Sequence, residues 1–217
     1  ALDQALDSKL QLTKNFEAKK ISVSRTPSED FVYFFFNLSD PLFEKNRFLR
    51  QAISAAIDRD RLLKLFFKST AIPAQGPIPP GIFGYNPALK DPNGYNLDRA
   101  RILMKKAQQE YRSHGEAAGL PPIEYDVLSN STDRQIAELI TQDFTKIGMK
   151  VNLHVVSWPQ FQEKKMKHQV QFSSQGWYPD YPDPENYLQL LYSKNVSPGP
   201  NAANFKNARY DSLYEQM

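Results

Sequence analysis

The stretch IEYDVLSNSTDRQIAELITQDFTKIGMKVNLHVVS, residues 123–157, carries two changes of hydrophobic period in 35 residues. IEYDVLS (123–129) is rich in β-branched and aromatic residues and reads as a strand. TDRQIAELITQDFTKI (132–147) reads as a helix, opened by a Thr132/Gln135 capping box and closed by Gly148. MKVNLHVVS (149–157) reads as the next strand, Ser157 with Gln160 opens a helix over WPQFQEKKMK, and VQFSSQGW (170–177) is a third strand. Strands alternating with helices through short joints predict βαβ crossovers and a sheet that is largely parallel.

Working outward, FVYFFFN (31–37) is an unbroken apolar run, as expected of a strand covered on both faces. In RFLRQAISAAI, the residues Phe48, Leu49, Ala52, Ile53, Ala55 and Ala56 form an apolar helical stripe, and either Asp58 or Asp60 can cap RLLKLFF. Residues 70–96 hold six prolines and four glycines, too many breakers for a regular element, and read as a long loop. Ala100, Leu103, Met104 and Ala107 share the inner face of a helix that follows it. The expected organisation is one α/β unit over 1–217, with a lead-in over 1–30 and the Pro/Gly-rich loop over 70–96. A first residue other than Met, and an ending, ARYDSLYEQM, that reads as a helix cut in progress, suggest a piece of a longer protein.

Composition removes several functions. Lys and Arg number 27 against 24 Asp and Glu, so the charge footprint of a nucleic-acid binder is missing. With no cysteine, disulfides, thiolate chemistry and cysteine-ligated metals are excluded. No apolar run approaches the ~18 residues of a membrane span, and ALDQALDSKLQ has no basic segment followed by an apolar one, so it does not read as a signal peptide. His114, His154 and His168 are far apart, and His154 reads as a structural residue of its strand. Walker, dinucleotide, nucleophile-elbow and H-E-x-x-H patterns are absent, and no cofactor is expected.

One segment asks for a function. GWYPDYPDPENY (176–187) packs four aromatic rings, three prolines and three carboxylates beyond the third strand's carboxyl end, where ligands of open α/β sheets bind. Asp183 followed by Pro184 suits a helix N-cap and first turn, and Glu185 suits the helix dipole. Asp180 has no local duty. On a proline-stiffened loop between Trp177 and Tyr181 it can hold a cation by a charge-assisted hydrogen bond, with the rings adding cation-π attraction, or it can simply close an Asx-turn. Asp180 and Asp183 as the acid/base pair of a carbohydrate-active enzyme, and the aromatic loop as a protein-docking surface, are the rival readings.

The chain resembles the extracellular solute-binding proteins of peptide ABC transporters, family 5, the oligopeptide- and dipeptide-binding group. The likeness rests on blocks in order: the strand ending in Asn37, RFLRQAISAAIDRDRL, PIPPGIFGYNP, YNLDRARILMKKA, GWYPDYPDPENY and NFKNARYDSLYEQ. It implies a periplasmic-binding-protein-like lobe with a mixed, largely parallel sheet flanked by helices, the second lobe of a two-lobed protein. Such proteins work outside the cytoplasmic membrane, capture a solute without catalysis and hand it to a membrane permease; a monomer is expected.

By position in the G-W-x-x-D pattern, the resemblance implies that Asp180 pairs with a peptide's α-ammonium. The backbone of Gln175, Gly176 and Tyr178 would pair with the peptide as an added strand, with Trp177 shaping a side-chain pocket. Family members also hold the ligand's carboxylate with basic residues, a part that Lys167 or Lys165 could take here; the alternative is that Lys164, Lys165, Lys167 and His168 form a solvated helix face. The family's usual aspartate before GW is replaced by Val170-Gln171-Phe172, and other members carry nickel complexes or sugars.

Overall fold

The computed structural model describes residues 11–19, 21–24, 26, 28–67, 70–115 and 119–217; residues 1–10 of the expected lead-in lie outside this set. The helices are α1 (Lys14–Glu17), α2 (Pro41–Lys45), α3 (Arg47–Ala56), α4 (Arg59–Phe66), α5 (Leu97–Ser113), α6 (Ser131–Thr145), α7 (Trp158–Met166), α8 (Pro184–Leu188) and α9 (Ala208–Tyr214). The strands are β1 (Phe31–Phe36), β2 (Ile123–Leu128), β3 (Val151–Val156) and β4 (Phe172–Trp177). They form one four-stranded sheet in the order β1-β4-β2-β3. β2 runs parallel to β3 and β4, and β1 runs antiparallel to β4, so the sheet is mixed and largely parallel as expected.

The order fixes where a crevice forms. The chain goes from β2 through α6 to its neighbour β3, then through α7 back across β2 to β4. Connections leaving β2's two sides in opposite senses make the β2–β4 gap the switch point of the sheet. The two crossover helices cover opposite faces. Ala137, Ile140 and Phe144 of α6 pack with Tyr125, Val127 and Phe172 and with the buried faces of α3 and α5 in the larger core, whereas Phe161 of α7 packs with Phe35, Val170 and Ala202 in a smaller one. Phe172 is the hub of the larger core, its ring 4.8 Å from Tyr125, 5.5 Å from Phe36, 5.8 Å from Phe34 and 5.9 Å from Phe144.

Some local expectations are corrected and others hold. The helix read from Thr132 starts at Ser131, capped by Asn130, whose Oδ1 accepts from the Asp133 amide at 2.9 Å; an Asx residue two positions earlier outcompetes the Thr132/Gln135 box. The aromatic run 31–37 supplies an edge strand: alternate residues Phe34 and Phe36, and Tyr33 and Phe35, do reach the two cores, but Val32 near its start is 58% exposed. Asp58 caps α4, with its Oδ1 accepting from the Arg61 amide at 3.0 Å. Ser157 and Gln160 do form the expected pair, the Ser157 amide donating to Gln160 Oε1 at 2.9 Å. Residues 70–96 contain no helix or strand among those described and are tied down by Arg59 to Asp91 at 2.9 Å and the Asn96 amide to the Ala55 carbonyl at 2.9 Å.

An amide network secures the amino end of β4. Buried Asn37 donates to the His168 carbonyl at 2.8 Å and accepts from Asn204 Nδ2 at 2.9 Å. Gln171 donates to Asp40 Oδ2 at 3.0 Å and accepts from the Glu124 amide at 2.7 Å. Asp40 is the N-cap of α2, so the Gln171 amide bridges a cap carboxylate and a strand amide at once, a job that requires both a donor and an acceptor.

Candidate ligand-binding site

β4 carries the segment GWYPDYPDPENY out of the sheet. On one side, β4 pairs with β1 along its whole length, Gln175 opposite Tyr33, Gly176 opposite Val32 and Trp177 opposite Phe31. On the other side it is bridged to β2 at one position, Tyr125 to Phe172. The next residue, Ser173, turns its hydroxyl onto the Asp126 carbonyl at 2.7 Å. From Ser174 to Trp177, the β2-facing edge of β4 therefore has no strand partner among the described residues. Its backbone groups border the switch-point crevice.

Beyond Trp177 the three carboxylates separate by role. Asp183 caps α8, its Oδ1 accepting from the Glu185 amide at 2.8 Å, with Pro184 in the first turn. Glu185 accepts from the hydroxyls of both Tyr181 and Tyr214. That bond to Glu185 is the main cause pushing the Tyr181 hydroxyl's pKa up. Tyr214 is raised too, first by burial and then by Glu185. Asp180 is exposed and its carboxylate has no hydrogen bond or ion pair among the described residues.

The surrounding groups frame that carboxylate. Trp177 is half-buried and donates through Nε1 to Asn186 Oδ1 at 2.8 Å, and Asn186 is fully buried. Tyr178 is 72% exposed and Tyr181 47%, so both rings stand in solvent beside Asp180. A Cβ at Gly176 would meet the Tyr178 ring at 3.6 Å, an ordinary contact, so nothing inside the lobe requires glycine there. Gln175 projects from mid-strand with its Oε1 buried and unpartnered. Sequence reasoning missed Asn186 and the two tyrosines on Glu185. Tyr181 and Glu185 stand in i, i+4 spacing, a local signal, but Tyr214 lies 29 residues further on with none.

Lys167 stands apart. It precedes β4, whereas Asp180 follows it, so a six-residue strand, about 17 to 20 Å, lies between them. Its ammonium is engaged by Glu163 Oε1 at 2.5 Å. Lys165 shares that end of the sheet, its pKa lowered by burial. The structure thus brings together Gln175, Gly176, Trp177, Tyr178 and Asp180 and leaves Lys167 outside. His154, the remaining questioned residue, lies on edge strand β3 and donates to Glu124 of the neighbouring β2. Among the described residues no cluster of three or more His, Asp or Glu is placed to hold a metal, and no helix is long and apolar enough to cross a membrane.

The profile of the bacterial extracellular solute-binding proteins, family 5, middle region, matches residues 2–199. The chain belongs to this family. Among its relatives, heme-binding protein A of Haemophilus influenzae is 29% identical over 198 residues, covering 91% of this chain and 35% of the relative. The dipeptide-binding protein of Escherichia coli is 26% identical over 175 residues, 81% of this chain and 32% of the relative. The family-5 chain thus spans about a third of the length of the curated relatives it matches. Among solved structures, HbpA2 from Haemophilus parasuis superposes with a TM-score of 0.77 at 25% identity, over 88% of this chain and 37% of that one. The periplasmic binding protein DppA from Helicobacter pylori, in complex with the peptide STSA, gives 0.75 at 25% identity over 88% and 36%. The fold is that of periplasmic binding proteins.

Proposed function

We propose that this lobe captures small peptides outside the cytoplasmic membrane, as the noncatalytic solute-binding component that delivers them to an ABC permease. The observation that carries the reading is the unpartnered, exposed carboxylate of Asp180 held just beyond the open edge of β4. A peptide laid along Gly176 to Tyr178 would complete the strand pairing that β2 abandons, and its ammonium would meet Asp180. Gly176, needed by nothing in the lobe itself, leaves the room that close backbone approach requires. Relatives named as dipeptide-binding and a neighbour crystallised with a peptide support the solute class.

A heme reading, suggested by the name of the Haemophilus influenzae relative, fits the loop less well. Its propionates would face a segment bearing Asp180, Asp183 and Glu185 with no cation among residues 176–187. The glycosidase reading loses its second carboxylate to the α8 cap. One lobe supplies one wall of a cleft, and closure of a second lobe would exclude water and strengthen the charge pair.

The test is calorimetric titration of the full-length protein with a tripeptide bearing a free or an acetylated amino terminus, beside Asp180→Asn. Either change should weaken binding by about 1.5 to 3 kcal/mol. Equal affinity of wild type for the two peptides would overturn the reading.

A further inference from the structure

Asp180 sits on a loop that its own backbone cannot hold. Pro179 and Pro182 flank the Asp180-Tyr181 pair and offer no amide donors, and within residues 178–183 the backbone bond is Asp183 N to the Tyr181 carbonyl at 2.9 Å. Side chains supply the rest of the fixation, and they converge on Glu185. The Tyr181 hydroxyl, one residue from Asp180, donates to one carboxylate oxygen of Glu185, and the Tyr214 hydroxyl of α9 donates to the other. Tyr214 is in turn stacked on Tyr192 at 4.4 Å, while Tyr210 donates to the Leu188 carbonyl at 2.7 Å and Asp211 accepts from the Ser193 amide at 3.0 Å. α9 is thereby bolted to the segment that follows α8.

Resting on the peptide reading above, we infer that Glu185 is a positioning residue: with Tyr214 of α9 it anchors Tyr181 and so sets where the Asp180 carboxylate is presented to the ligand's ammonium. Glu185 reaches the ligand through Asp180 and does not touch it. Two acceptor oxygens are used by two different elements, a loop and a helix, and this arrangement locks a loop against a scaffold where a single surface hydrogen bond would let it swing. The Tyr181 bond is exposed and the Tyr214 bond part-buried, so the first adds little to global stability and its effect falls on geometry.

The experiment is a mutant cycle on the full-length protein, with binding of the free and acetylated tripeptide and thermal melting as readouts. Tyr214→Phe keeps every charge and lies on α9, and Tyr181→Phe serves as the second variant. Either should weaken binding of the free-amine peptide about 3- to 10-fold, the loss of one hydrogen bond's worth of order. Binding of the acetylated peptide should stay within about twofold, the ordinary additivity error. In the Asp180→Asn background the same substitutions should have no further effect, because the group being positioned is gone. Losses that persist in that background, or an unchanged preference for the free amine in both variants, would overturn the positioning role. If wild type itself fails to distinguish the two peptides, the failure lies with the peptide reading instead.

Discussion

Replacing Lys164 by methionine isolates a buried charge. The Asp126 side chain is 1% exposed, and Lys164 Nζ from α7 is the one partner of its carboxylate among the described residues, with Oδ2 buried and unpartnered. Stripping the partner from a buried pair costs about 3 to 5 kcal/mol, most of it the penalty of an uncompensated charge. The Lys164 side chain is 31% exposed, so water can reach the vacated side and the lower end, about 3 kcal/mol, applies. For a chain of 217 residues that is a fall in Tm of about 6 to 12 °C. The partner substitution behaves differently, because Lys164 freed from Asp126 can turn its ammonium to water. Asp126→Leu with Lys164→Met removes both charges and should lie within about 1 kcal/mol of wild type, leaving a coupling of about 2 kcal/mol. Urea unfolding with an unchanged m-value measures each arm of this cycle. A single Lys164→Met costing less than about 1 kcal/mol, or a double variant worse than that single, would refute the picture of a dry Asp126.

Two further outcomes test the frame around the site. Phe172→Ala removes the hub ring of the larger core, fully buried at 0% exposure, and should destabilise by about 3 to 5 kcal/mol in urea unfolding; a cost below about 1.5 kcal/mol would mean the four rings around it do not depend on it. The Glu124 carboxyl is held below the usual carboxylate range, chiefly by the His154 hydrogen bond. A carboxylate with a depressed folded value contributes stability above its unfolded value, about 4.3, and loses it as pH falls through the folded one. Glu124→Gln should therefore melt slightly below wild type at pH 7, with the gap closing below about pH 4. The effect is small because Glu124 and His154 side chains are 43% and 46% exposed; a gap constant down to pH 3 would contradict the assignment.

What the sequence made legible follows physical range. The strands over 123–128, 151–156 and 172–177 and the helices between them were readable because period and caps are local properties. The division of labour within GWYPDYPDPENY was readable for the same reason: an Asp before Pro announces its cap, and Asp180 is left over. The order β1-β4-β2-β3 was not, since nothing local says that the aromatic strand at residue 31 inserts antiparallel beside the strand at residue 172. That pairing sends one flank of β4 to β1 and leaves the other half-free, the feature on which the site depends. Lys167 was offered because the resemblance asks for a basic residue at the ligand's carboxylate; the strand between it and Asp180 puts the two at opposite ends of β4, a separation the sequence does not display. The start of α6 was misplaced because Asn130 and Thr132 are both competent caps two residues apart, and the helix uses the Asx residue.

The role of Asp180 is tested most directly by a crystal structure of the full-length protein with a bound tripeptide. The peptide should lie extended along the β2-facing edge of β4 at Gly176 to Tyr178, its ammonium within about 2.7 to 2.9 Å of an Asp180 oxygen. A peptide bound elsewhere, or one whose ammonium faces solvent while Asp180 stays unpaired, would contradict it.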